Sequence, residues 1–406
     1  MLLKAPYIVT LEGPVLKDHA IFVEGDRIAR IAPQTEFNND GETIDLPNTI
    51  LLPGLVNGHC HLELSQLPEP LPYPGSFVGW IDQLTKLKLQ MSPEQTESAI
   101  RHGIAKLLEG GTTTVADHAS VATSPETLLA SPLDGTVYVE VLGVERERGE
   151  RFYEQAVKMR DHGPWTMDQG LSELKFKIIP TPHATYSLLP EIFSKVISTS
   201  TLPLSIHIAE SADEYLLFTE QCGPLFEFLR LKGKTPPTVG ETPVQYLERL
   251  QLLPYGSLAI HANYLDEHDV TILNRLEISV IHCPGSHAYF EHDRFPLGML
   301  QDGEINVALG TDSLASGESL SMLRQMQIVL ENYSELTPES VLKMATLNGA
   351  IALQRENEMG SLKTGKLANI IGVPMRSPSR SAYENVLLSE TACFSMIHGV
   401  VARSIC

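Results

Sequence analysis

Between residues 52 and 353 the chain alternates apolar, β-prone runs with stretches of helical period, and this alternation constrains the fold more than any other feature. The runs are Gly54 to Cys60, Thr112 to His118, Thr136 to Gly143, Phe176 to His183, Leu204 to Glu210, Leu258 to Ala262, Ile278 to Cys283 and Val307 to Asp312. Helical spacing falls at Pro93 to Leu108, Gly149 to Asp161, Ala212 to Leu231, Asp266 to Leu276 and Ser319 to Glu331. Eight such strands in succession predict an α/β fold, a (β/α)8 TIM barrel with its chemistry at the C-terminal strand ends. The stretch Lys232 to Pro254 is too long for a tight connection and predicts an insertion with an extra helix near Val244 to Leu250.

The flanks have a different rhythm. Tyr7 to Leu11, Ala20 to Glu24 and Arg27 to Ala32 read as short strands around a Gly25-Asp26 turn, with too few residues to enclose a core. The β-rich segments Leu367 to Val373 and Ala392 to Arg403 are the natural partners. A small β-sandwich built from both termini (1–51 and 354–406) is therefore expected beside the barrel (52–353).

Thirty Lys and Arg against fifty Asp and Glu give a net charge of −20, and no basic cluster offsets it. Nucleic acid and anionic membrane surfaces are thereby excluded as partners. A hydrophobic fraction of 43% and a mean hydropathy of −0.03 are those of an ordinary globular chain, and no apolar run approaches the ~20 residues of a membrane span. Lys4 and Pro6 come too early for a signal peptide, so a cytoplasmic location is expected. Five scattered cysteines without a Cys-x-x-Cys pair argue against a disulfide framework and against a cysteine zinc site.

The strand ends carry the chemistry. His59 and His61 are two residues apart, so an extended backbone turns both imidazoles to one face. Other apolar runs end in His183, in His207 with Glu210 following, in His261, in His282 and in Asp312. An unpartnered ionisable group at the end of a buried strand costs several kcal/mol, whereas one metal with one polar substrate satisfies them all. His59, His61, His207 and Asp312 make a three-nitrogen, one-carboxylate set suited to Zn2+ with an open position, with Fe2+ as the alternative.

These motifs resemble the amidohydrolase superfamily, in its cytosine-deaminase-like, mononuclear deaminase branch. The matching pieces are Pro53 to His61, Gly111 to Asp117, His207-Ile208-Ala209-Glu210, His282-Cys283-Pro284 and Leu309 to Ser316. Met359 to Asn369 resembles the family's return to its β domain, with Asn369 in place of the usual Asp. The resemblance implies that His59, His61, His207 and Asp312 hold one divalent metal, that Glu210 shuttles protons, and that His261 orients the attacking water. It also implies a substrate contact at His183 and a homodimer. Binuclear members place a carboxylated lysine where His183 stands, and Lys175 and Lys177 lie at the other end of that strand. The unrelated zinc deaminases are excluded because Pro-Cys-x-x-Cys is absent.

Leu62 to Ser65, Gly75 to Ile81, His287 and Ser316-Gly317 are similar to the subgroup containing aminodeoxyfutalosine deaminases of menaquinone synthesis. The expected reaction is therefore hydrolytic removal of the exocyclic amine of an adenine-type nucleoside. Glu63, Trp80, Arg146, Arg148, His282, His287 and Ser316 are candidate substrate contacts, with Arg294 a further cation for a substrate carboxylate. The alternatives are deamination or dechlorination of another small heterocycle (S-adenosylhomocysteine or methylthioadenosine, guanine, a pyrimidine or a triazine) and, from a different class, an inactive scaffold barrel.

Overall fold

A computed structural model of the chain describes residues 1–37, 41–66, 70–120, 123–162, 176–201, 203–233 and 240–406. Each of the eight apolar runs forms a strand: β1 (Leu55–Cys60), β2 (Thr112–Ala119), β3 (Asp134–Val141), β4 (Phe176–Pro182), β5 (Ser205–Ile208), β6 (Leu258–His261), β7 (Ser279–His282) and β8 (Val307–Leu309). Strands β1 to β4 form one sheet in the order β4-β3-β2-β1, and β5 to β8 another in chain order, with every pair parallel. Single parallel bridges, Ala184 to His207 and Cys60 to Asp312, join the two sheets at their outer strands. One apolar cluster draws on both sheets through Val56, Ala116, Tyr138, Ile179, Ile260, Ile281 and Ala308, so the two share an interior. The opposite strand faces pack under helices such as Pro93–Glu109, whose buried Ile100, Ile104 and Leu107 follow the helical period. Its start is set by a Ser92–Gln95 capping box.

The terminal strands pair as their lack of a core required. Thr49–Pro53 lies antiparallel to Ile370–Pro374, with Pro53 opposite Ile370, inside a six-stranded sheet that also contains Phe394–Ile397 and Val400–Ser404. A second sheet orders Arg27–Pro33, His19–Glu24, Leu2–Lys4 and Thr43–Asp45. Leu3, Ile21 and Ile28 share a cluster with Leu51, Ile370, Phe394 and Met396.

Two expectations are corrected. The helix expected over Ala212 to Leu231 is two, Ala212–Glu220 and Gly223–Leu231. Gln221 takes a left-handed φ of 49° and Gly223 one of 87°, and a proline at the start of the next helix cannot continue the previous one. Cys393 and Cys406 are joined in a disulfide, where the scattered cysteines argued against a disulfide framework, because the last strand returns antiparallel and brings residues 13 apart in sequence within reach. Cys60, Cys222 and Cys283 are free. The extra helix is Pro243–Arg249. The Pro-rich residues 234–239 and Lys175 lie outside the described residues, and Lys177 is exposed near the start of β4. Among the described residues no helix is long and apolar enough to cross a membrane.

Candidate active site

The C-terminal ends of the parallel strands bring six of the singled-out side chains together. His59 in β1 and His61 just beyond it have ring centroids 4.8 Å apart, and His207 in β5 lies 4.8 Å from His59. Ligand atoms of His59, His61 and His207 all fall within 4.8 Å of one another. Asp312 Oδ1, beyond the end of β8, is 3.6 Å from His59 Nε2 and 3.8 Å from His61 Nε2. Gly310 permits that approach, since a Cβ there would sit 2.9 Å from the His59 backbone nitrogen. Glu210 and His261 complete the group, with His261 Nε2 3.5 Å from Glu210 Oε1.

The backbone is bent to present these groups. Ala209, His261, Ala262 and Asp312 all have positive φ, from 48° to 68°, at the exits of β5, β6 and β8. Such conformations in non-glycine residues cost about 1–3 kcal/mol each, and they cluster at functional sites.

Orientation of the rings is fixed from behind. His61 Nδ1 donates to the His118 carbonyl at 2.9 Å, and His207 Nδ1 donates to the His183 carbonyl at 3.0 Å. His59 Nδ1 meets His118 Nδ1 at 3.0 Å. The Nε2 of His59 is buried with no hydrogen-bond partner. An orphaned imidazole nitrogen, two further imidazoles fixed in the Nδ1–H form and one carboxylate oxygen make a donor set that fits a divalent metal.

Electrostatics separates the two carboxyls. Burial pushes Glu210 well above the usual carboxylate range, and the charges of Asp312, Glu214 and Glu140 add to it. Burial would also raise Asp312, but the imidazoles of His59, His261 and His61 outweigh it and hold Asp312 well below that range. Burial lowers the pKa of His59, His207 and His261, against the opposing pull of Asp312 on His59 and His261. Glu214, fully buried, accepts from the Glu210 backbone N–H at 2.8 Å, and the Asn263 amide donates to the Glu210 carbonyl at 2.8 Å.

The other expected contacts divide. His183 stacks on His207 at 4.8 Å, its Nδ1 on Ser187 Oγ at 2.8 Å. His282 stacks on Phe295 at 3.9 Å with Nδ1 unpartnered, and half-buried His287 lies edge-on to it at 5.4 Å. Ser316 serves the carboxylate: its Oγ donates to Asp312 Oδ2 at 2.8 Å, alongside Ser286 Oγ at 2.7 Å. Glu63 is buried, bonded to Lys88 and to the Ser120 hydroxyl, where it ties the helix Phe77–Lys88 to β1 and β2. Trp80 packs in an apolar cluster with Phe77, Leu64 and Phe290. The arginines lie outside the group. Arg146 pairs with Glu191 at 2.5 Å, Arg294 pairs with Glu335 at 3.2 Å, and Arg148 lies over the Phe152 ring at 5.7 Å; all three are exposed at the surface. A guanidinium facing water beside a glutamate finds its partner there.

His118 and Glu140 belong to the group without having been singled out. Glu140 at the end of β3 has a buried Oε1 without a hydrogen bond, 3.7 Å from His207 Nδ1. Each is the last but one residue of its apolar strand, as His207 is of β5.

Parallel strands ending in a converging His, His, His, Asp set with a buried acid beside it define a class: hydrolases that do their chemistry at the mouth of an α/β sheet system. The amidohydrolase family model matches residues 50–387, and the chain belongs to that family; together with its deaminase relatives this makes it a hydrolase acting on carbon–nitrogen bonds. It is 26% identical over 388 residues to a 5-methylthioadenosine/S-adenosylhomocysteine deaminase of Carboxydothermus hydrogenoformans, spanning 91% of this chain and 83% of that one. Among solved structures, an adenosine deaminase of Xanthomonas campestris with bound zinc superposes with a TM-score of 0.84 at 23% identity, covering 100% of this chain and 93% of the other. The aminofutalosine deaminase of Helicobacter pylori, in complex with methylthio-coformycin, gives 0.83 at 20% identity over 99% of both chains. These likenesses carry the TIM-barrel α/β fold.

Proposed function

We propose that this chain is a metal-dependent hydrolytic deaminase that replaces the exocyclic amine of an adenine-type nucleoside by oxygen. The observation that carries the reading is the convergence of His59, His61, His207 and Asp312, with the buried carboxyl of Glu210 3.5 Å from His261 beside them. The curated relatives' names, which specify adenine nucleosides, support it. We further read the two parallel sheets as one (β/α)8 barrel and the terminal sheets as a sandwich, on the strength of the bridges and shared clusters.

His59, His61 and His207 through Nε2, with Asp312, would hold the metal, zinc before Fe2+ because the Xanthomonas relative holds zinc. When bound, such a metal supplies Lewis-acid activation of water near neutral pH. The remaining work belongs to side chains. Asp312 accepts a proton from the attacking water, His261 holds that water by hydrogen bonding, and Glu210 gives its proton to the ring nitrogen next to the amine-bearing carbon. A C–O bond forms at that carbon. The new hydroxyl then passes its proton to the emptied Glu210 carboxylate, Asp312 delivers its own to the amine, the C–N bond breaks, and ammonia leaves a carbonyl beside the ring N–H.

Among adenine nucleosides we favour 6-amino-6-deoxyfutalosine, on Leu62 to Ser65 and Ser286 to Phe290. With the rim arginines paired at the surface, its carboxylate would be met by the imidazoles of His282 and His287. Methylthioadenosine and S-adenosylhomocysteine are the second reading, favoured by the relatives' names. Metal analysis together with ammonia release and the adenine-to-hypoxanthine absorbance shift, over adenosine, these two and aminodeoxyfutalosine, tests both. Turnover of cytosine or a triazine but of no adenine nucleoside would overturn the proposal.

A further inference from the structure

We infer that His118 is a positioning residue that sets the proton of His59 and thereby makes its Nε2 a ligand; the inference rests on the metal reading above. A neutral imidazole carries one N–H, so a histidine that binds metal through Nε2 must hold its hydrogen on Nδ1. For His61 and His207 this is decided by carbonyl oxygens, which only accept. His59 is different. Its Nδ1 faces another nitrogen, His118 Nδ1, at 3.0 Å, so one of the two carries the hydrogen and the other the lone pair.

If His118 carried it, the hydrogen of His59 would move to Nε2 and point at Asp312 and the other two rings, closing the set to a cation. The opposite arrangement is supported from behind. His118 Nε2 lies 2.7 Å from Ser205 Oγ, which can accept its N–H and leave Nδ1 as the acceptor for His59. The His118 ring is wholly buried and stacked on Tyr138 at 5.0 Å and 24°, which holds its orientation. The same residue's carbonyl holds His61. One position at the end of β2 thus orients both histidines of the His-x-His pair, one through its ring and one through its backbone. The order Ser205, His118, His59 is a chain of hydrogen bonds running from beneath β5 to the ligand atom.

The test compares Zn2+ dissociation constants, by competition with a chelating chromophore, for wild type, His118→Phe and His118→Asn. Phenylalanine keeps the stacking on Tyr138 but has no acceptor, and it should weaken zinc about 10–100-fold. Asparagine can place its carbonyl where Nδ1 was, and it should return affinity to within about threefold of wild type. In wild type, 15N-resolved spectra should show the hydrogen on Nδ1 of His59 and on Nε2 of His118. Undiminished zinc affinity in His118→Phe, failure of asparagine to rescue, or a hydrogen on His118 Nδ1 would each overturn the inference while leaving the metal reading intact. If His118→Phe does not fold, the asparagine variant and the wild-type spectra decide. A wild-type protein that takes up no divalent metal would overturn the metal reading and this inference with it.

Discussion

Asp312 shows how much a single residue is asked to do. One oxygen faces His59 and His61, the other takes hydroxyls from Ser286 and Ser316, and its own backbone sits at φ 58°. Removing either hydroxyl leaves a buried carboxylate oxygen with one donor fewer. Ser316→Ala should lower kcat/KM about tenfold, and the double variant with Ser286→Ala should lower it further, with metal content measured alongside. Glu210→Gln should lose about 10²–10⁴ in kcat at unchanged metal content, because the amide cannot give and retake a proton. Ser316 and Glu63 were legible as polar residues at the right strand exits, but their partners were not. Lys88 lies 25 residues from Glu63, and Ser286, which shares Asp312 Oδ2 with Ser316, lies 30 residues from it, and only the fold sets these distances. His118 ends its strand as the others do, yet a ring whose use is to hold another ring has no motif of its own.

At the level of elements, strands were easier to read than what connects them. Eight apolar runs could be read because both faces of a parallel strand are buried and composition follows burial. The helix Phe77–Lys88 is not among the helical stretches read from the sequence; Phe77 and Trp80 pack it against Leu64 and Phe290, and Lys88 pairs it with buried Glu63. Replacing Lys88 by methionine should destabilise this helix by about 1–3 kcal/mol, seen as faster amide exchange there than elsewhere. The tight seam between β1 and β8 makes the opposite kind of prediction. Gly310→Ala would drive a methyl against the backbone of His59, where nothing flexible can yield, so unfolding should be easier by about 1–3 kcal/mol and metal binding weaker.

For the whole molecule, Asp134 at the start of β3 receives a bidentate pair from Arg355 at 2.8 and 2.9 Å and faces His398 at 3.0 Å, fastening the lower end of the strands to the C-terminal sheet. Burial would raise its pKa, but His398 and Arg355 together bring it below the ordinary value. A carboxyl lowered in the folded state adds stability above its unfolded pKa of about 4 and loses it as pH falls through the lower folded value. Acid unfolding of Asp134→Asn should therefore depend less on pH below about 4, and at neutral pH the variant should be less stable by about 3–5 kcal/mol. The pairing of both flanks could be anticipated, because neither could close a core alone. The disulfide could not, because it depends on the register of the last two strands.

Thr49–Pro53 stands between Tyr7–Ile8 and Ile370–Pro374 in one sheet, and this orders events during synthesis. The first fifty residues emerge early but keep an open, apolar edge until residue 370 has left the ribosome, roughly 15 s to a minute later at ordinary elongation rates. Throughout that interval the unpaired strand is a template for other chains. A nascent chain halted before residue 370 would carry every histidine ligand and Asp312, yet still be prone to aggregate.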